Sequence, residues 1–212
     1  MIKDLRASYL NSQLMGVSIF PLTPGTKVPY KGSKGFVDAK PAKEWLEWPK
    51  DANVGIACGR VSGIVVIDCD SAAAEQSFYS ILQRIGAAKP TTGVLTPRGK
   101  HFYFGIPNDH LYYPCSQSRL GLGIDVRGDG GYVVGPGSVV GNLEYSIFSS
   151  DALINAMPPR LAEFLQRLQC PHISPETPPP VEDDDYCDFT LNIRITRGAD
   201  GRLRAEVVAG DG

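Results

Sequence analysis

The apolar run Val65-Val66-Ile67 ends in two carboxylates, Asp68-Cys69-Asp70. Such a run reads as a buried strand. Residues i and i+2 of a strand point to the same face, so Asp68 and Asp70 are expected to project together from its end. At about 5 Å apart, two carboxylates repel by roughly 3 kcal/mol at an effective dielectric near 20. A divalent cation removes that repulsion, and hard oxygen ligands suit Mg²⁺ or Mn²⁺. A third acid, Asp125, also follows an apolar stretch and stands two residues before Arg127. Three acids for a metal, with His101 and Arg127 for phosphate, point to metal-assisted phosphoryl chemistry.

Each part also has a plainer reading. Asp68 and Asp70 could cap the helix expected to start near Ser71. His101 lies beside aromatics and could be a packed core residue, although Arg98-Gly99-Lys100 before it suits an anion. Asp125 could serve only as an ion-pair partner for Arg127. The segment Gly128-Asp129-Gly130-Gly131 could be a simple hairpin turn. Trp45 and Trp48 read as packing residues, and the lysines of residues 25–43 as solvated.

The periodicities give a mixed order of elements. Helices are expected over Lys3 to Met15, Ala42 to Trp48, Ser71 to Ile85 and Arg160 to Leu168. Strands are expected over Val17 to Leu22, Asn53 to Cys58, Gly63 to Asp68, Ile124 to Arg127, Tyr132 to Val134 and Glu144 to Phe148. Val94 to Thr96 should pair with His101 to Phe104 across the turn Pro97-Arg98-Gly99-Lys100. Helices alternate with strands early and strands dominate later, which predicts an α+β (mixed α/β) fold.

The 212 residues suffice for one large or two small domains. Residues 1–170 read as the main domain, 171–185 as a Pro-rich acidic linker expected to be extended, and 186–212 as a β-hairpin-like tail. Residues 174–212 hold nine acids against four arginines, which leaves the body mildly basic. That excess does not by itself argue for nucleic acid. No apolar run approaches the ~20 residues that span a bilayer, and the N-terminus carries no apolar core of signal-peptide length. Five cysteines, an odd number without a Cys-x-x-Cys pair, read as free thiols in a reducing compartment, so a cytoplasmic location is expected.

The combination is more specific than its parts. Asp-x-Asp, a His about 30 residues on, and an apolar-Asp about 25 residues later resemble the primase–polymerase branch of the archaeo-eukaryotic primase superfamily. The resemblance runs from about Gly16 to Leu168. It takes in Ile19-Phe20-Pro21-Leu22 with Lys27, then Asn53-Val54-Gly55-Ile56, the motifs around Asp68, His101 and Asp125, and Pro136-Gly137-Ser138. It implies an RRM-like catalytic sheet with a smaller N-terminal α/β unit. It implies catalytic roles for Asp68, Asp70, Asp125 and His101, the three acids as metal ligands, and nucleotide contacts from Lys27, Asn53, Lys100, His101, Arg127 and Ser138. The implied activity is template-directed, two-metal nucleotidyl transfer, making and extending primers on single-stranded DNA. Nucleoside triphosphates and a template would be the substrates, and a replicative helicase a further partner. The family often places a Ser two before the His; here that residue is Gly99, whose N–H could still donate to phosphate. Two other classes stay open. One is a haloacid-dehalogenase-type phosphatase, whose Asp-x-Asp usually lies nearer the N-terminus. The other is a non-catalytic replication-associated module that binds nucleotide or DNA.

Overall fold

The computed structural model describes residues 5–10, 14, 16–107, 111–149 and 153–167, and the backbone of 192–197 and 203–208. The chain divides into Met1–Pro171 and His172–Gly212. In the first unit the elements are α1 (Leu5–Leu10), β1 (Ser18–Leu22), a 3-10 turn (Gly35–Asp38), β2 (Lys40–Pro41), a second 3-10 turn (Ala42–Glu44), β3 (Asn53–Ala57), β4 (Ile64–Cys69), α2 (Ala72–Arg84), β5 (Val94–Leu95), β6 (Lys100–Gly105), β7 (Ile124–Arg127), β8 (Tyr132–Val134), β9 (Val139–Val140), β10 (Leu143–Glu144), β11 (Ser146–Ile147), β12 (Ile154–Ala156) and α3 (Pro159–Arg167). This is an α+β fold. In the second unit, β13 (Asn192–Arg197) pairs antiparallel with β14 (Leu203–Val208). The linker expected over 171–185 lies outside the described residues. No helix among the described residues is long and apolar enough to cross a membrane.

Two sheets organise the first unit. One has the order β2-β1-β3-β8. The other has the order β11-β5-β6-β4-β7, with β12 parallel to the far half of β6. Side chains of β4 alternate between two apolar clusters. Ile64 and Val66 join Ile19, Phe20 and Ile56 of the first sheet. Val65, Ile67 and Cys69 join Phe78, Leu82, Leu161 and Leu165 of the helices. The larger sheet is therefore sandwiched between helices and a second sheet, which explains why its central strand reads as an unbroken apolar run.

Helix α2 begins where its sequence dictates. Ser71 is extended at the N-cap, and its Oγ accepts the Ala74 N–H at 3.1 Å. Gly86, at φ +61°, follows its last turn, where a left-handed residue suits glycine. The buried face of Ala74, Phe78, Ile81 and Leu82 has helical spacing.

Three expectations need correction. Ile124–Arg127 and Tyr132–Val134 do not form a hairpin. β7 pairs with β4 and β8 pairs with β3, so Gly128 to Gly131 carries the chain from one sheet to the other. The helix expected over Ala42 to Trp48 is only the 3-10 turn Ala42–Glu44. The Trp45 indole N–H is drawn inward to the Ile19 carbonyl at 2.8 Å, and Trp48 precedes a proline, which disfavours helical backbone. The strand expected over Glu144 to Phe148 is split at the buried Tyr145: β10 pairs with β9, and β11 with β5.

Asp129 fastens the sheet-to-sheet crossing. Its carboxylate accepts the Tyr113 N–H at 2.9 Å, the Arg60 N–H at 3.1 Å and Arg60 Nε at 3.0 Å. Burial opposes its ionisation, but these donors outweigh burial and hold its carboxyl below the usual carboxylate range. Gly128 and Gly59 make room: a Cβ on Gly128 would lie 1.8 Å from the Tyr113 carbonyl oxygen, and one on Gly59 2.5 Å from Asp129 Cα. Asp129→Ala is expected to lower stability by about 1–2 kcal/mol, because it leaves the part-buried Tyr113 N–H without its acceptor and removes the bonds from Arg60. A denaturant melt measures this, and an unchanged midpoint would show that the crossing holds without the carboxylate.

Candidate active site

Strand register builds the site. Asp68 on β4 lies opposite His101 on β6 and opposite Asp125 on β7. Side chains in register share a face, so His101, Asp68 and Asp125 form one row across three strands. The next row, Phe102, Ile67 and Val126, faces the helices instead. Two residues along β7 from Asp125, Arg127 returns to the polar face.

The row is dense and largely buried. Asp125 is 4% exposed and His101 5%. Arg127 Nη2 lies 2.7 Å from Asp125 Oδ2 and 3.8 Å from Asp68 Oδ2. His101 Nε2 lies 3.4 Å from Asp68 Oδ1. The Ser118 N–H donates to Asp125 Oδ1 at 2.9 Å. Burial opposes ionisation of Asp68, but the hydrogen bond and charge of His101, then Arg127 and Lys27, overcome it. Its carboxyl therefore sits below the usual range. The His101 ring lies 5.8 Å from that of Tyr145 and 6.3 Å from that of Tyr103, and its buried Nδ1 has no hydrogen-bond partner among the described residues.

A cleft of about 410 Å³ opens onto this row between the two sheets. Asp68, His101 and Arg127 line one side, and Lys27, Phe36 and Tyr132 contribute from the smaller sheet and its loops. The Tyr132 hydroxyl donates to the Lys27 carbonyl at 3.0 Å and so ties the basic loop to β8.

Other residues singled out from the sequence go elsewhere. Asp70 lies just past the end of β4 and pairs with Arg98 at 2.7 Å in a largely exposed ion pair outside the cleft lining. Lys100 neighbours His101 in sequence, so it points to the opposite face, where it pairs with Glu75 of α2. It does not reach the cleft. Asn53 and Ser138 are spent on the backbone. Asn53 bridges Thr26 and Val139, and Ser138 Oγ accepts the Val54 N–H at 2.9 Å while fully buried. The Gly99 N–H, a candidate phosphate donor, is held by Thr96 Oγ1 at 3.0 Å. Sequence reasoning missed Ser118, which sits at φ +52° and presents its N–H to Asp125. It also missed Phe36 as a cleft residue. No periodic pattern marks either one.

Among the described residues no group of three or more His, Cys, Asp and Glu side chains is gathered closely enough to hold a metal ion. The chemistry of the pair Asp68 and Asp125 nonetheless suits a hard divalent cation. Two like charges opposite each other on adjacent strands repel, and Arg127 offsets that repulsion here.

The family model for Prim-Pol, bifunctional DNA primase/polymerase, N-terminal, matches residues 10–161. The chain belongs to this family. The match contains the whole row and every residue described as lining the cleft. At family level a Prim-Pol domain is a nucleotidyltransferase acting with DNA and nucleotides. No curated protein matches the chain.

Proposed function

We propose that this Prim-Pol domain makes and extends primers on single-stranded DNA by divalent-metal-dependent nucleotidyl transfer. The observation that carries the reading is the row His101, Asp68 and Asp125 with Arg127, of which Asp68, His101 and Arg127 line one side of a cleft large enough for a nucleotide. Asp68 and Asp125 would hold Mg²⁺ or Mn²⁺, with Asp70 joining them once it leaves Arg98. When bound, the ions lower the pKa of the attacking 3′-hydroxyl and offset charge on the departing pyrophosphate.

The chain's own side chains do the rest. Arg127 and Lys27 bring fixed positive charge to the triphosphate from opposite sides of the cleft. His101, which lines the cleft beside Asp68, is a further candidate phosphate contact, its ring set between Tyr103 and Tyr145. The Ser118 N–H and Arg127 fix the Asp125 carboxylate before substrate arrives, so little reorganisation is needed at the moment of reaction. Template contacts through phosphate are expected to be tolerant of sequence. A replicative helicase is the further partner this role anticipates. The family match leaves the phosphatase reading without support.

The test is incorporation of labelled nucleotides on a single-stranded template, with and without a primer, in Mg²⁺ and in Mn²⁺. Product is expected with either ion and none after chelation. Failure to incorporate ribo- or deoxynucleotides under every combination would overturn the proposal.

A further inference from the structure

Phe36 stands apart from the other aromatic residues of the cleft. Tyr145 is buried. Tyr132 is engaged on two sides: its ring meets Phe20 edge-on at 5.1 Å, and its hydroxyl is bonded to the Lys27 carbonyl. Phe36 is 39% exposed, makes no ring contact among the described residues, and belongs to neither apolar cluster. What sets the ring apart is its place: its exposed part lines the cleft beside Lys27 and Asp68, outside both apolar clusters.

Its mounting is rigid. Phe36 rides on the 3-10 turn Gly35–Asp38. Ser33 Oγ accepts the Gly35 N–H at 3.0 Å, and Asp38 accepts the Lys34 N–H. The Ala39 N–H closes the turn on the Phe36 carbonyl at 3.3 Å. Gly35 is buried at φ +66° against Pro29 and Phe20, where a Cβ would come 3.3 Å from Pro29 Cγ. The turn is thus anchored on β1, and Phe36 lines the same cleft as Lys27 and Arg127.

We infer that Phe36 is the stacking platform for the base of the incoming nucleoside triphosphate, a role that rests on the nucleotidyl-transfer reading above. Cations gather where the triphosphate would lie, and the ring supplies an apolar flat surface in the same cleft. Stacking tolerates any base, as template-directed synthesis requires, because every base has a π-face.

The test is calorimetric titration of the wild type, Phe36→Ala and Phe36→Tyr in Mg²⁺ with four probes: dATP, dTTP, inorganic tripolyphosphate and an oligothymidylate. Phe36→Ala is expected to weaken both nucleotides about tenfold. Tripolyphosphate and oligonucleotide binding should stay unchanged, and Phe36→Tyr should restore wild-type affinity. Unchanged nucleotide affinity in Phe36→Ala overturns the inference. Equal loss of tripolyphosphate also overturns it, because the cleft itself would then have been disturbed. Loss confined to the oligonucleotide assigns the ring to the template and overturns it too. A wild type that binds neither nucleotide nor tripolyphosphate removes the functional reading itself, and the platform with it.

Discussion

Asp68→Asn and Asp125→Asn are each expected to lower nucleotidyl transfer about a thousandfold or more, with the fold retained. Both carboxylates lie on rigid neighbouring strands, and Asn keeps their shape but not their charge. Steady-state incorporation on a primed template measures the loss, and circular dichroism checks the fold. Wild-type turnover in either variant would remove the acids from the chemistry. Asp68→Asn should also depart from a simple charge-repulsion picture in its stability. Repulsion alone predicts that losing one acid is neutral or slightly stabilising. The lowered pKa of Asp68 reverses that sign, since its ionised form gains more from His101, Arg127 and Lys27 than it loses to burial. Asp68→Asn should therefore cost about 1 kcal/mol at neutral pH. A carboxyl whose folded pKa is depressed contributes stability above its unfolded value of about 3.9, and loses it as pH falls through the folded value. The difference between wild type and Asp68→Asn should accordingly narrow below about pH 4 in thermal melts.

Gly99→Ser is expected to unfold the site rather than improve it. By resemblance alone, the substitution would restore a hydroxyl two residues before His101. In this fold a Cβ at position 99 would lie 1.9 Å from the Cys69 carbonyl oxygen and 2.9 Å from the Ser71 nitrogen. Both are backbone atoms, flanking Asp70 between the end of β4 and the N-cap of α2. Neither can yield without moving Asp68, Asp70 or the helix start. The expected loss is about 3 kcal/mol or more, with activity falling in parallel. Gly99→Ala should behave the same way, which separates crowding from any effect of the hydroxyl. A soluble, active Gly99→Ser protein with an unchanged melting temperature would show that the hairpin can retreat from Cys69.

Asp68, Asp125 and Gly99 mark what the sequence makes legible. Strand β4 and its acids are readable because alternation and an apolar run are local signals, and the pairing of Asp68 with His101 and Asp125 follows once three adjacent strands are assigned. Helix α2 is readable from its cap and its apolar spacing. The crossing at Gly128 to Gly131 is not, because a hairpin and a change of sheet use the same turn residues, and only the partner strands tell them apart. Lys100 illustrates a second limit. Its position beside His101 suggests phosphate, yet alternation alone places it on the other face. Asn53, Ser138 and Gly99 illustrate a third. A polar group that looks available in sequence is already engaged in the fold, by the backbone for Asn53 and Ser138 and by the Thr96 hydroxyl for the Gly99 N–H.

The crossing between the sheets also constrains chain length. Five peptide steps separate Arg127 from Tyr132, a reach of roughly 18 Å at most. Most connections tolerate insertion, since doubling a loop adds only about 0.6 kcal/mol of closure entropy. This one is bounded on both sides by paired strands in different sheets. A length change taken up in β7 or β8 rather than in the turn would slip that strand by one position, and a one-residue slip turns every side chain to the opposite face. Either Arg127 would leave the row of acids, or Tyr132 would let go of Lys27. The spacing between these two residues is thus a ruler for the site, and such a slip would set one wall out of step with the other.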